Sequence, residues 1–330
     1  QTMVSPAAGR SCCNGIDASA DGAQVFVAED EGTRVWDVAT GDCVRMLVNH
    51  KRCKAVSSVA VSCDATGAAR FFFAMTDAAN AMWDVASGQI VRFLGVYKDG
   101  QYHTAGILDA KCSATGHRVY TSSEDGTAKV WDTATGLCLQ SVEGHGPGST
   151  TIPTHPGARK AHHGCIMGVA ATADGGRIFT AGQDSLTKVW DVASGECLQT
   201  LEDTSDDMAY DLFCIAVSAD GDRVFTAGYG VPKVWDTASG EVLFRLEGHT
   251  NFVPSIAASA DGTRVVTGSA DGTAKVWDAT SGACLQTLEA DPSPVEEEGG
   301  VAGVAMSADG SRIYMVWDFG VCKVWEEEPE

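Results

Sequence analysis

A three-residue phrase, valine or methionine followed by tryptophan and then an acid, recurs along this chain, and seven of its copies keep a near-even spacing, with tryptophans at Trp36, Trp83, Trp131, Trp190, Trp235, Trp277 and Trp325. Successive copies lie 42 to 59 residues apart. Self-similarity at such a period marks a stack of like units, none of which can bury its apolar surface alone. The spacing slightly exceeds the roughly 40–45 residues of a unit of four strands, and the excess is expected in loops.

The cleanest unit runs from Ala258 to Ala290 and reads ASADGTRVVTGSADGTAKVWDATSGACLQTLEA. Its D-G and S-G pairs divide it into four strands, and glycine supplies the positive φ that tight turns need, so these pairs read as turn chemistry and not as calcium ligands. Val276 and Trp277 stand side by side in the third strand and are both apolar. Side chains alternate across a strand, so both faces of this sheet must be covered, as happens when each unit sits between two others. The final repeat stops at KVWEEEPE, without the outer strand that elsewhere reads C-L-Q-T-L-E, while the first residues, QTMVSPAAGR, align with QTLEGH. Residues 1–5 are therefore predicted to complete the last sheet, because a bare edge would expose a row of backbone donors and acceptors.

These repeats resemble the WD40 family, and the resemblance covers nearly all of the chain. The family's G-H signature stands at Gly144-His145 and Gly248-His249, and its W-D signature at Trp36-Asp37, Trp83-Asp84, Trp131-Asp132, Trp190-Asp191, Trp235-Asp236 and Trp277-Asp278. The last repeat departs, with Trp325-Glu326. The resemblance implies an all-β, seven-bladed propeller, here expected as a single domain spanning 1–330. It also implies a hydrogen-bonded chain of histidine, Ser or Thr, Asp and tryptophan that locks the loops of a blade. In the sixth repeat that set is His249, Thr267 or Ser269, Asp271 and Trp277. On paper it imitates a catalytic triad, but parts of it recur as Asp30, Asp77, Asp125 and Asp184, each six residues before a tryptophan, and catalytic sites are built once. Repeats five and seven carry Tyr229 and Phe319 at that position.

No run of about 18 apolar residues occurs, so no membrane-spanning helix is expected. The net charge of −21 is spread along the chain, apart from short acidic runs at 296–298 and 326–328. Such a surface repels phosphate and anionic lipid, which argues against nucleic-acid or membrane-surface binding and favours basic partners. Of the twelve cysteines, Cys43, Cys138, Cys197 and Cys284 share one repeat position and are expected as small buried residues in a reducing compartment, cytosol or nucleus. The chain starts at Gln1 without a methionine, so it reads as a segment or a processed form. The insert from Gly144 to Cys165 gathers His145, His155, His162, His163 and Cys165, but at separations unlike a zinc finger, and it is read as a solvated loop. No phosphate-cradling loop, nucleophile elbow or H-E-x-x-H motif is present. Neither cofactor, metal nor catalysis is expected.

Loop lengths point to where a partner sits. The turns after the first and third strands stay short, whereas the connections between repeats vary in length: 48–57, 95–106, 144–165, 202–212 and 289–300. By the family resemblance these connections share one face, the top, with the turns between second and third strands, and variable loops on a rigid scaffold are where binding resides. The candidate contacts on that face are the aromatic residues Tyr229, Trp317 and Phe319 and the acids Glu29, Glu124 and Asp318, with Asp206 and Asp207 beside them; the acids would meet Lys or Arg. The expected role is a scaffold or adaptor for protein or peptide partners, with a permanent subunit of a larger complex as the alternative.

Overall fold

The computed structural model describes residues 2–4, 13–48, 56–64, 66–75, 80–94, 102–113, 115–143, 164–203, 210–289, 299–317 and 321–326; at 2–4, 48, 72–75 and 80 the backbone alone is described. Within them lie seven antiparallel sheets of four strands each, and no helix. Six sheets are built from consecutive strands, so each is one blade: blade 1 within 13–48, blade 2 within 58–94, blade 3 within 107–143, blade 4 within 166–201, blade 5 within 212–245 and blade 6 within 255–289. Blade 7 takes three strands from 301–326 and its outer strand from Thr2–Val4. Thr2 pairs with Lys323, Met3 with Cys322 and Val4 with Val321, so the two ends of the chain close one sheet.

The first strand of every blade is the innermost. Each touches the first strands of both neighbours, and that of blade 1, Cys13–Ala18, touches that of blade 7, Val301–Met306, so the array shuts into a ring. Small residues allow this approach. A Cβ on Gly15 would already be in contact with the Ser58 backbone, and one on Gly303 would press on Ile16.

The core is divided in the same way. There are seven apolar clusters among the described residues, and each is shared by two adjacent blades. Trp277 packs with Phe225, Ala227 and Val234 of blade 5, whereas its neighbour Val276 packs with Val301, Val304 and Met315 of blade 7. The valine–tryptophan doublet thus serves both faces, as the alternation of strand side chains requires. On the face of the short turns, an arginine opening the second strand reaches a backbone carbonyl of the next blade: Arg118 to Gly175 at 2.9 Å, Arg177 to Asp220 at 2.6 Å, Arg223 to Gly262 at 3.3 Å and Arg312 to Gly22 at 3.3 Å. The last of these crosses the closure.

The aspartate after the tryptophan of blades 1 to 6 caps a turn. Asp278 accepts the Thr280 amide at 2.7 Å and its hydroxyl at 2.6 Å, and the following Gly282 takes a φ of 74°. That hydroxyl bond holds the Asp278 carboxyl below its usual range, as the Thr135 hydroxyl does for Asp132.

The repeated cysteines correct an expectation. Cys43 and Cys138 are half-buried, packed at the margin of inter-blade cores, and Cys197 and Cys284 are exposed, because this position opens the outermost strand.

Deleting residues 1–5 removes the strand that joins the two chain ends. It is expected to lower unfolding stability by about 2 kcal/mol or more, read as the urea midpoint. An unchanged midpoint would show that the pairing carries no weight.

Candidate functional site

Backbone hydrogen bonds decide which loops share a face. The turn between second and third strands is tied to the connection entering the same blade: Tyr229 N–H donates to Asp211 at 3.2 Å, Ala270 N–H to Phe252 at 3.0 Å and Gln183 N–H to Cys165 at 3.1 Å. On the other face the short turns pair with each other, as in Ala279 N–H to Thr263 at 2.8 Å. The long connections and the second-to-third turns therefore form one surface.

Among the described residues, the same side-chain network locks that surface in blades 3 and 6. In blade 6 His249 Nδ1 lies 2.8 Å from Asp271 Oδ2, and His249 Nε2 lies 2.8 Å from Thr267 Oγ1, which also receives Trp277 Nε1–H at 2.8 Å. The serine-or-threonine alternative resolves to Thr267. Ser269 lies past the end of the strand, donates to the Phe252 carbonyl at 3.0 Å and accepts the Asp271 amide. Blade 3 repeats the arrangement with His103, Thr121, Asp125 and Trp131 at 2.7 to 3.3 Å. The sequence reading passed over His103 because it follows Tyr102 and not a glycine, yet its separations of 18 to the threonine and 22 to the aspartate equal those of His249. In both blades the histidine ring also packs edge-on to the tryptophan, at 6.1 and 6.2 Å. The tryptophan bond recurs in blades 4 and 5, from Trp190 to Thr180 and from Trp235 to Thr226.

The candidate partner contacts separate. Glu124 is exposed and Tyr229 is 58% exposed, both on the loop face. Trp317 is 1% exposed: it closes the second strand of blade 7, packs with Val276 and Leu288 of blade 6, and sends Nε1–H toward the Gly272 carbonyl at 3.4 Å. Glu29 is likewise buried, held by Arg34 Nε at 2.8 Å, an ion pair that fills blade 1 where blades 3 and 6 have their histidine networks. Both placements correct the expectation of a surface contact, since both residues end strands that face an inter-blade core. Asp318, Phe319, Asp77, Asp206 and Asp207, and His145, His155, His162 and His163 of the insert, lie outside the described residues. Cys165 is described; its thiol meets the Glu124 carbonyl at 3.6 Å.

Around Tyr229 the structure gathers what the sequence reading did not. Phe213, second in the inner strand of blade 5, lies 4.7 Å from the Tyr229 ring; Phe252, in the connection into blade 6, lies 5.6 Å from Tyr229 and 5.9 Å from Phe213, all edge-to-face. Such pairs contribute about 0.5–1.5 kcal/mol each beyond their buried area. The turn that carries Tyr229 is Gly228-Tyr229-Gly230-Val231-Pro232. Its glycines let it press down: a Cβ on Gly228 would stand 2.0 Å from the Asp211 carbonyl, and one on Gly230 2.9 Å from the Tyr210 ring. Its other end is tied by Asp203, which binds Lys233 at 2.7 Å and also Arg245.

This assembly is a β-propeller of seven blades with one braced face and one face of variable loops. Three of its units match a known repeat: the family model for the WD domain, G-beta repeat, covers residues 96–132, 155–191 and 240–278, the segments that lead to the W-D pairs of blades 3, 4 and 6. The chain is similar to the COMPASS component SWD3 of Saccharomyces cerevisiae, 26% identical over 100 residues, which is 30% of this chain and 26% of that protein. It is also similar to the nuclear distribution protein PAC1-2 of Uncinocarpus reesii, 24% identical over 196 residues, 55% of this chain and 38% of that protein. The chain thus matches well under half the length of either relative.

Burial drives the His249 and His103 rings below the usual imidazole range, and their aspartates offset this only in part, so the fold prefers both neutral. Burial also opposes the Asp271 carboxylate, but bonds from Thr273, the Thr250 amide and His249 outweigh it and hold it down to about 2. An unfolded histidine takes up its proton near pH 6.5 while these folded rings do not. Their contribution is therefore complete above that pH and falls as pH drops through it; the aspartate contribution is lost lower, below about pH 4. The urea midpoint is expected to fall between about pH 7.5 and about pH 5.5, and His103→Gln with His249→Gln is expected to flatten that slope. Separately, Thr267→Val strands both Trp277 and His249 and is expected to cost about 2–3 kcal/mol, against about 1 kcal/mol for Ser269→Ala. Equal costs would contradict the assignment.

Proposed function

We propose that this chain is a protein-interaction module, one propeller over 1–330, that holds protein or peptide partners with basic segments on its loop face. The observation that carries this reading is the exposed Tyr229 in its aromatic cluster, standing where blade 6 has the bracing Asp271. A turn that gives up a stabilising network for an exposed ring has been shaped by something other than stability. Exposed aromatic anchors on a rigid scaffold are the usual cores of binding sites.

The relatives favour the same role. One is named as a component of COMPASS and the other as a nuclear distribution protein, and neither name describes a catalyst. The histidine–aspartate pairs would be the natural place for acid–base chemistry, but they are duplicated, neutral at the ring and spent on threonine and tryptophan. They brace the fold. Permanent residence in a larger assembly remains the second form of the same reading, and a cytoplasmic or nuclear setting accords with the free thiols of the described cysteines. The acidic surface would repel nucleic acid.

Affinity capture from native extract tests this. Tyr229→Ala and Glu124→Lys are expected to remove proteins that co-purify with the native chain while leaving its melting temperature within a few degrees. An identical set of captured proteins from all three would refute the loop face as the binding surface.

A further inference from the structure

Exposed apolar side chains are distributed unevenly on this protein. Among the described residues, most of the large exposed ones (Val44, Val91, Phe93, Leu137, Leu139, Leu198, Leu243 and Leu285) lie on or at the start of the outer strands, once or twice per blade. That is a repeat feature. Tyr229 at 58% and Val231 at 40% are the two that lie elsewhere, in the second-to-third turn of blade 5. They border a cavity of about 310 Å³ that opens between that turn and the connection into blade 6. Its walls include Tyr229, Val231, Pro232, Leu246, Phe252 and Val253. The walls are held from behind: Val253 N–H bonds Gly228 at 2.9 Å, Leu246 N–H bonds Pro232 at 2.8 Å, and the His249 network lies beneath.

The charge around it has one sign. Of the described lysines and arginines, Arg70 alone is exposed, and it opens the second strand of blade 2, on the opposite face. Many of the rest are tied to partners on the protein: arginines on turn carbonyls, Lys129 on Ser141, Lys233 on Asp203 and Lys275 on Thr287. Glu31, Glu124, Glu202 and Glu247 are exposed on the loop face, and Glu247 sits between two residues of the cavity wall, Leu246 and Gly248.

We propose that this cavity receives one large apolar side chain of an extended partner segment that carries lysine or arginine on either side of it. This rests on the reading of the loop face as a protein-binding surface and names the partner's chemistry. Tyr229, Val231 and Phe252 give the mouth an apolar side, opposite His249, Thr250 and Asn251, so the inserted group is one that buries apolar surface against those three; the exposed rim is acidic, so the flanks are basic. A second copy of this chain is the wrong occupant, because two surfaces of net charge −21 repel. The preformed walls keep the ordering cost of binding low.

Random nonapeptides displayed on phage, selected on the native protein, supply the probe. The selected peptides are then synthesised and titrated by fluorescence polarisation. They are expected to share one Leu, Met or Phe with Lys or Arg within about two positions. Val231→Asp, at an exposed site where the fold is spared, is expected to weaken them at least tenfold; Glu247→Lys, about threefold at low salt and less at high salt. Peptides that bind Val231→Asp as well as the native protein would overturn the cavity while leaving the loop face to the capture experiment. Peptides without basic residues that are still lost in Val231→Asp would overturn the partner chemistry. Failure to select any peptide would overturn the proposal, and captured proteins that depend on Tyr229 would then show the broader reading still standing.

Discussion

Each sheet of this protein has two apolar faces and can cover neither by itself. Val276 points into one inter-blade core and Trp277 into the next, and the same division runs through Val35 with Trp36, Val130 with Trp131 and Val189 with Trp190. A linear stack would always leave two faces open at its ends. Closing the stack on itself leaves none, which is why the outer strand of blade 7 comes from the other end of the chain, at Thr2–Val4. It is also why the Arg312 bridge to Gly22 repeats the geometry of bridges within the chain. At the seam the ring uses the same contacts as everywhere else.

With the apolar cores set by the repeat, polar residues are free to stiffen one side or the other. On the short-turn face they do so in almost every blade, through arginine-to-carbonyl bridges and aspartate caps. The loop face is braced unevenly. Among the described residues, blades 3 and 6 have the full histidine network, blade 1 has the buried Glu29–Arg34 pair, and blade 5 has the bond from Trp235 to Thr226. Blade 7 has Met315 at the threonine position, and its buried Trp325 Nε1 has no hydrogen-bond partner among the described residues. Blade 6, with its histidine network, gives the cavity one wall, and the turn of blade 5 shaped by the glycines of 228–232 gives the other.

Period and alternation were legible because they are local: a tryptophan every four dozen residues and a valine beside it dictate four-stranded sheets covered on both faces. The identity of the bracing hydroxyl was not legible. Thr267 and Ser269 point the same way along the strand, and only the pairing of Thr267 opposite Lys275, in the middle of the sheet, puts its oxygen beneath both His249 and Trp277. Trp317 misled for a similar reason. It looks like a loop aromatic because the Asp318 turn follows, but it pairs with Val301 and closes a strand in which Ile313 to Val316 are all buried. The aromatic cluster had no sequence signal at all. Phe213 and Phe252 belong to different repeats, and their rings meet at 5.9 Å only because the inner strands of blades 5 and 6 are neighbours in the ring.

The surface charge follows from the same architecture. A propeller of short turns has many backbone carbonyls to satisfy between blades, and in this chain arginines do it. The third strands need a long side chain that spans toward the outer strand, and lysines do that, as Lys129 does to Ser141 and Lys275 to Thr287. Cations used for bracing are withdrawn from the exterior, while the turn-capping aspartates stay at its rim and the exposed glutamates remain outside. Among the described residues the exposed charge is therefore more acidic than composition suggests. An acidic exterior that screens weakly at low salt gathers basic segments toward every face alike, so attraction alone cannot choose a face. The choice then falls to an opening where such a segment can also bury a side chain, and on the loop face such an opening lies beside Tyr229.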